Sequence, residues 1–225
     1  AGVRATGWVA SGGAWYYLDP STGAMRTGWV NDRGTWYYLH GSGAMATGWL
    51  NLGGTWYYLY GSGAMAANTW VGDYYLTGSG AMATGWAKVG GAWYYLAGSG
   101  AMQTGWLNRG GTWYFLHGSG AMAEGWAKVG GAWYYLNPGS GAMATGWKQV
   151  DGTWYYLTGS GAMAANQWIG GRYFVGASGA MATSAWVDGG RYYVGADGAW
   201  IPNYQKPGAS TGGSTAVTGT VYWAK

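Results

Sequence analysis

The sequence predicts an all-β solenoid, a stack of short β-hairpins repeated along one axis, and three observations predict it. All nine methionines stand in one tripeptide, Gly-Ala-Met, at positions 25, 45, 65, 82, 102, 122, 143, 163 and 181. Reading around each recovers a unit of about 20 residues, of which 28–47 is one copy, and self-similarity at such a period is the signature of a stacked array. Second, 19 Trp and 21 Tyr stand against only 2 Phe and 8% charged residues, far from the usage of an ordinary domain. Third, the 48 glycines are interleaved with a fixed aromatic pattern, so they mark turns rather than a disordered chain.

Within the unit, Trp-Tyr-Tyr-Leu, as at 36–39, is four residues of high β-propensity bounded by Gly-Gly or Asp-Gly before it and Gly-Ser-Gly after it. That reads as a strand between two turns. The segment ahead of it, such as 48–52 or 85–89, places apolar residues at alternate positions before the glycine turn and reads as the partner strand. One unit is therefore a hairpin plus a loop that carries Ala-Met. A lone hairpin is marginal in water, so the units must bury their aromatic faces against one another, with no single central core.

The intervals between leading tryptophans, from Trp8 through Trp186, run 21, 20, 21, 16, 20, 20, 21, 21 and 18. In a full unit the first Trp precedes the Tyr-Tyr pair by eight residues, as from Trp49 to Tyr57, whereas Trp70 precedes Tyr74 by four. An even deletion keeps every remaining side chain on its original face, so the shortened hairpin can still stack. The units opening at Trp168 and Trp186 are shortened too, with Arg172 and Arg191 where the second Trp would stand. The expected organisation is an array of about ten units, three of them shortened, over 1–200. A Pro/Gly/Ser/Thr linker over 201–219 follows, then the start of a further strand or module at 220–225.

Composition narrows the function classes. The net charge of +4 comes with no basic run, which argues against a nucleic-acid partner. There is no cysteine, no initiator Met, no signal peptide and no apolar run near 18 residues. The chain reads as a mature or excised segment of something longer, with no membrane span.

The aromatics fill the solenoid core in part, but Leu, Ile and Val could fill a thin core without burying polar groups. The choice of Trp asks for another reason. Along Trp-Tyr-Tyr-Leu the Trp and the second aromatic share one face, and the first Tyr and Leu share the other. Two Trp of one hairpin, flanked by an aromatic and the Met loop of the next, would make a three-sided box with electron-rich walls. A ring face attracts a soft cation that donates no hydrogen bonds by roughly 0.5–2 kcal/mol per contact, and Trp is the best wall. Such a box suits a quaternary ammonium ion.

The runs Thr-Gly-Trp, Gly-Thr-Trp-Tyr-Tyr-Leu and Gly-Ser-Gly-Ala-Met-Ala-Thr-Gly-Trp resemble the repeats of the choline-binding modules of Gram-positive bacterial surface proteins, over residues 1 to about 200. The resemblance implies a left-handed β-solenoid, with choline held between consecutive hairpins by two Trp of one unit and an aromatic of the next, a Met nearby. It also implies a secreted protein attached at the cell surface through phosphocholine on wall teichoic acids. Such modules accompany murein hydrolases and adhesins.

Carried over by position, the boxes expected are Trp8 and Trp15 with Tyr38 and Met45, then Trp29 and Trp36 with Tyr58 and Met65, then Trp49 and Trp56 with Tyr75 and Met82. Next come Trp86 and Trp93 with Phe115 and Met122, and Trp106 and Trp113 with Tyr135 and Met143. The last are Trp126 and Trp133 with Tyr156 and Met163, and Trp147 and Trp154 with Phe174 and Met181. The choice of the second aromatic in each pair is an inference from strand alternation. The units at Trp70, Trp168 and Trp186 lack the second Trp and are expected to be spacers.

Catalysis would need a placed acid, base or nucleophile, and seven carboxylates and two histidines are scattered over a repeating frame. His40 and His117 occupy a slot that holds Asp19, Tyr60, Ala97 and Asn137 elsewhere, so it reads as a solvated turn, with no metal role. Asp32, Asp73, Asp151 and Asp188 fall at hairpin turns. The segment is expected to be non-catalytic and to need no cofactor; any active site would lie elsewhere in a parent protein. The alternative is a glucan- or other polysaccharide-binding array, or a structural stalk. Sugar recognition normally adds hydrogen-bonding groups around an aromatic platform, and none recurs here, which favours the cation. The sequence does not set the oligomeric state.

Overall fold

A computed structural model describes residues 4–206. Of the linker expected over 201–219, the described part, 201–206, includes strand residue Ile201 and the packed ring of Tyr204; its remainder and the strand expected at 220–225 lie outside the described residues. What is described is all β and turn. It divides into two compact units, Ala1–Gly125 with Pro138–Ala142, and Trp126–Asn137 with Met143–Lys225.

The first unit holds six antiparallel hairpins. They are β1 (Gly7–Ser11) with β2 (Ala14–Leu18), β3 (Gly28–Asp32) with β4 (Thr35–Leu39), and β5 (Gly48–Leu52) with β6 (Thr55–Leu59). The short pair β7 (Thr69–Val71) and β8 (Tyr74–Leu76) follows, then β9 (Gly85–Val89) with β10 (Ala92–Leu96), and β11 (Gly105–Arg109) with β12 (Thr112–Leu116). The second unit holds β13 (Gly125–Val129), all but its first residue, with β14 (Ala132–Leu136), then β15 (Gly146–Val150) with β16 (Thr153–Leu157), and the short pair β17 (Gln167–Ile169) and β18 (Tyr173–Val175). A three-stranded sheet of β19 (Ala185–Val187), β20 (Tyr192–Val194) and β21 (Trp200–Ile201) ends it.

Turn chemistry fixes the register. Asp32 and Thr35 pair across a two-residue turn in which Arg33 and Gly34 both have positive φ, 54° and 87°. Such a turn carries the twist of its flanking strands and leaves no freedom to slip. The Asn31 side-chain oxygen accepts the Gly34 N–H at 3.0 Å, and Asn51 and Asn108 close their turns in the same way.

The Gly-Ala-Met segment joins one hairpin to the next. Met45 N–H donates to the Trp15 carbonyl of the preceding hairpin at 2.7 Å, and Ala46 N–H donates to the Tyr38 carbonyl of its own. The same pair of bonds recurs at Met65 with Trp36, at Met122 with Trp93 and at Met181 with Trp154. The core of each unit is correspondingly thin. Leu39, Leu59, Leu76, Leu96 and Leu116 in the first, and Leu136, Leu157, Val175 and Val194 in the second, are fully buried. Each ends the second strand of its hairpin. No polar or charged side chain is buried among the described residues.

Candidate functional site

In β3 and β4, Trp29 stands opposite Tyr38 and Asn31 opposite Trp36, so these four side chains share one face, while Val30, Tyr37 and Leu39 occupy the other. Two indoles on one face, one per strand, meet at a corner. Their centroids are 6.4 Å apart at 87° for Trp29 and Trp36, 6.4 Å at 81° for Trp49 and Trp56, and 6.5 Å at 90° for Trp126 and Trp133. Trp147 and Trp154 repeat the corner at 6.5 Å and 85°.

The third wall comes from the opposite face of the following hairpin. Trp29 meets Tyr57 at 5.0 Å, Trp49 meets Tyr74 at 5.0 Å and Trp86 meets Tyr114 at 5.0 Å. Trp8 meets Tyr37 at 4.7 Å, Trp126 meets Tyr155 at 4.8 Å and Trp147 meets Tyr173 at 5.4 Å. Three of these junctions open as pockets. Trp29, Trp36, Tyr57, Met65 and Ser79 enclose about 240 Å³, and Trp49, Trp56, Tyr74, Met82 and Ser99 about 430 Å³. Trp86, Trp93, Tyr114, Met122, Gly139 and Ser140 enclose about 280 Å³.

The expected Trp pairs and methionines therefore meet at these three junctions, but the closing aromatic is the first of each pair, not the second. Tyr38, Tyr58 and Tyr75 lie 5.1–5.2 Å from Trp29, Trp49 and Trp70 of their own hairpins. Phe115, Tyr135, Tyr156 and Phe174 likewise pair with Trp106, Trp126, Trp147 and Trp168 at 5.1–5.4 Å. Strand alternation holds in every such pair, yet it fixes only which side chains share a face. A repeated stacking step brings unlike faces together, head to tail, so the Trp face of one hairpin meets the first-Tyr face of the next. At the first junction Met45 and Trp8 both pack on the core cluster of Tyr17, Val30 and Leu39. At the last two, Met163 N–H reaches the Trp133 carbonyl and Met181 N–H the Trp154 carbonyl. The residues expected around Trp106 and Trp113 are divided between the two units, Tyr135 and Met143 belonging to the second.

In six units the second Trp is not core filler. Trp15, Trp36, Trp56, Trp113, Trp133 and Trp154 are 39–49% exposed in a protein that buries its leucines completely. Cations of the chain already stand over several of its rings. Lys88 Nζ stands 5.9 Å over Trp93 and Lys128 Nζ 5.9 Å over Trp133, while the Arg109 guanidinium lies 4.9 Å over Tyr95. At the first junction the Trp8 indole N–H instead donates to Asp32 at 3.0 Å.

Several participants escaped the sequence reading. Ser79 and Ser99 reach their boxes from one repeat beyond the closing Tyr. They come with a glycine that has a specific duty: a Cβ at Gly80 or Gly100 would run into the sulfur of Met65 or Met82. Each Met thus lies on the bare backbone of the next loop. The spacing of Met to the following Gly-Ser-Gly carries that signal, but only once unlike faces are known to meet. Tyr204 was also missed. It stacks on Tyr193 at 3.7 Å and 8°, and meets Trp186 at 6.0 Å. A hydrogen bond to Tyr204, with burial second, raises the Tyr193 phenol above its ordinary range. Asp19, at the first loop, is held well below the usual carboxylate range by the Ser21 hydroxyl first and by the backbone N–H groups of Thr22 and Ser21.

Known proteins place the chain. A choline-binding repeat model matches residues 26–70, 83–125 and 123–168. A second choline-binding repeat matches residues 64–90 and 162–200, and a putative cell wall binding repeat matches residues 6–25. The chain belongs to the choline-binding repeat family. Among solved structures, the choline-binding repeats resemble the modular autolysin LytC from Streptococcus pneumoniae at 31% identity and a TM-score of 0.67, over 87% of this chain and 46% of that one. The choline-binding domain of CbpL from Streptococcus pneumoniae is 36% identical over 89% of this chain and all of that one, with a TM-score of 0.48. CbpJ from the same species is 46% identical over 79% of this chain, with a TM-score of 0.48. The chain spans 58% of CbpJ, under two thirds of the length of that relative. No curated protein matches.

Proposed function

We propose that this choline-binding repeat array is a non-catalytic module that holds choline head groups in its aromatic boxes and through them keeps a larger protein on choline-decorated wall polymer. The observation that carries this reading is the exposed second Trp, set at a right angle to the first and closed by a Tyr and a Met. These walls offer ring faces and a thioether, with a serine hydroxyl as the polar group of the lining. A trimethylammonium group needs π faces and no acceptor, whereas a sugar needs a set of donors and acceptors around its platform.

Three walls at roughly 0.5–2 kcal/mol each sum to about 4 kcal/mol at mid-range, which corresponds to millimolar affinity for one site. Several sites on one chain, facing phosphocholine repeated along a teichoic acid, raise the effective concentration and convert weak boxes into firm attachment. The partner is the choline of the wall polymer, and the setting is the cell surface of a protein exported to it. A catalytic domain, where the parent protein has one, does its work outside these repeats.

The test is titration of the purified chain with choline chloride, tetramethylammonium, ammonium and a glucan oligosaccharide, followed by calorimetry and Trp fluorescence. Saturation by both quaternary ions and not by ammonium supports the reading. Saturation by the glucan with no response to either quaternary ion moves the array to the polysaccharide-binding class, and no response to any of them leaves a structural stalk.

A further inference from the structure

Resting on that reading, the geometry points to one more quaternary-ammonium box, at a shortened unit where the missing second Trp predicts a spacer. Trp168, Gly171, Tyr192 and Trp200 line a pocket of about 210 Å³. Tyr192 stands perpendicular to both indoles, to Trp168 at 5.5 Å and 90° and to Trp200 at 5.8 Å and 88°, while Trp168 and Trp200 are inclined at 67° with centroids 6.5 Å apart. Trp168 is the leading Trp, Tyr192 the first aromatic of the next hairpin, and Trp200 occupies the methionine slot after Gly198-Ala199. Backbone bonding confirms the slot, since Trp200 N–H donates to the Arg172 carbonyl at 2.8 Å, as Met181 N–H does to Trp154. The third ring lost by deletion is regained from the loop.

Its neighbours explain why a Trp fits here. Every methionine from Met25 to Met181 rests where the Cβ of a following glycine would be, and an indole has no room on that seat. Trp200 is followed by Ile201-Pro202-Asn203-Tyr204 rather than by another Gly-Ser-Gly loop, so it is free to turn its ring toward Trp168. Arg172 does not take the cation's place: its guanidinium lies 5.4 Å over Tyr173, on the other side of its hairpin, and is absent from the pocket lining. The unit at Trp70 supplies the contrast. There Trp70 meets Tyr94 at 5.1 Å, while the slot keeps Met102, bonded to the Asp73 carbonyl at 2.9 Å. Two rings and a thioether make an incomplete box.

The experiment follows the indole N–H signals of the full chain by 15N correlation spectroscopy during titration with choline chloride, with Trp168, Trp200, Trp36 and Trp56 assigned by single Trp→Phe exchanges. The expected result is saturating shifts at Trp168 and Trp200 alongside those at Trp36 and Trp56. Trp200→Leu is expected to weaken the Trp168 response at least about fivefold while sparing Trp36 and Trp56, and Trp200→Tyr to keep it within about threefold. Silence at Trp36 and Trp56 as well would overturn the reading of the boxes as a class. A response at Trp36 and Trp56 with none at Trp168, or a Trp168 response indifferent to Trp200→Leu, would overturn this site alone.

Discussion

Replacing Tyr57 and Tyr58 separately by Leu decides which face of a hairpin closes the box before it. Tyr57 lies 5.0 Å from Trp29 of the preceding hairpin and lines the pocket with Trp36 and Met65. Tyr58 lies 5.2 Å from Trp49 across its own hairpin and lines none of that pocket. About 4.1 kcal/mol for a millimolar site, shared over three aromatic walls, gives about 1.4 kcal/mol per wall, which is tenfold in affinity. Tyr57→Leu should therefore weaken choline at the Trp29 and Trp36 indoles about tenfold, while Tyr58→Leu changes it less than about twofold. Tyr57→Leu removes one edge-to-face contact, with Trp29, and Tyr58→Leu removes two, with Trp49 and Tyr60, each about 0.5–1.5 kcal/mol beyond area, so both should lower Tm, Tyr58→Leu by at least as much. A Tm loss in Tyr58→Leu at least as large as in Tyr57→Leu, with binding weakened only in Tyr57→Leu, separates the wall from the fold. The assay is indole 15N shifts against choline concentration, with circular dichroism for Tm. Loss of binding in Tyr58→Leu and not in Tyr57→Leu would refute the unlike-face reasoning.

Gly63→Ala forces a side chain at φ 82° into the Met45 sulfur, whereas Gly61 has open space and no positive φ. Thermal melts should show Gly63→Ala costing more than about 1 kcal/mol and Gly61→Ala nearly neutral. Lys88→Asn removes an internal cation 5.9 Å over Trp93 and should tighten choline at that box about two- to fivefold, read from the Trp93 indole. Asp19 has a folded pKa below its unfolded one, so its contribution to stability is present above about pH 4 and is lost as the pH falls through the folded value. The Tm difference between wild type and Asp19→Asn should be largest near pH 6 and shrink below about pH 4.

The parts of this protein legible in its sequence are those that repeat within a span of about 20 residues. The hairpins are legible because a two-residue turn with Gly at its second position fixes the register between Gly28–Asp32 and Thr35–Leu39, and the strand period then fixes which side chains share a face. The Trp corner follows, since Trp36 pairs with Asn31, two positions along the strand from Trp29 and so on the same face, which local rules can count. So does the loss of one corner Trp at Trp70, Trp168 and Trp186.

The face of the next hairpin that meets a corner is a property of the stacking step, and no residue within one unit encodes it. Hence the second aromatic of each pair was the expected wall, and the tertiary structure put the first there: Tyr57 for Trp29, Tyr74 for Trp49, Tyr114 for Trp86. The serine that arrives from a repeat further on, the glycine that seats each methionine, the Tyr204 ring stacked on Tyr193 and the ring of Trp200 over Trp168 share that origin. By itself the sequence determined the repeat, the hairpin and the Trp corner, because turn geometry and strand alternation act through neighbours along the chain. Only the tertiary structure decided how each corner is closed, because that depends on packing between residues of successive hairpins, which local periodicity leaves open.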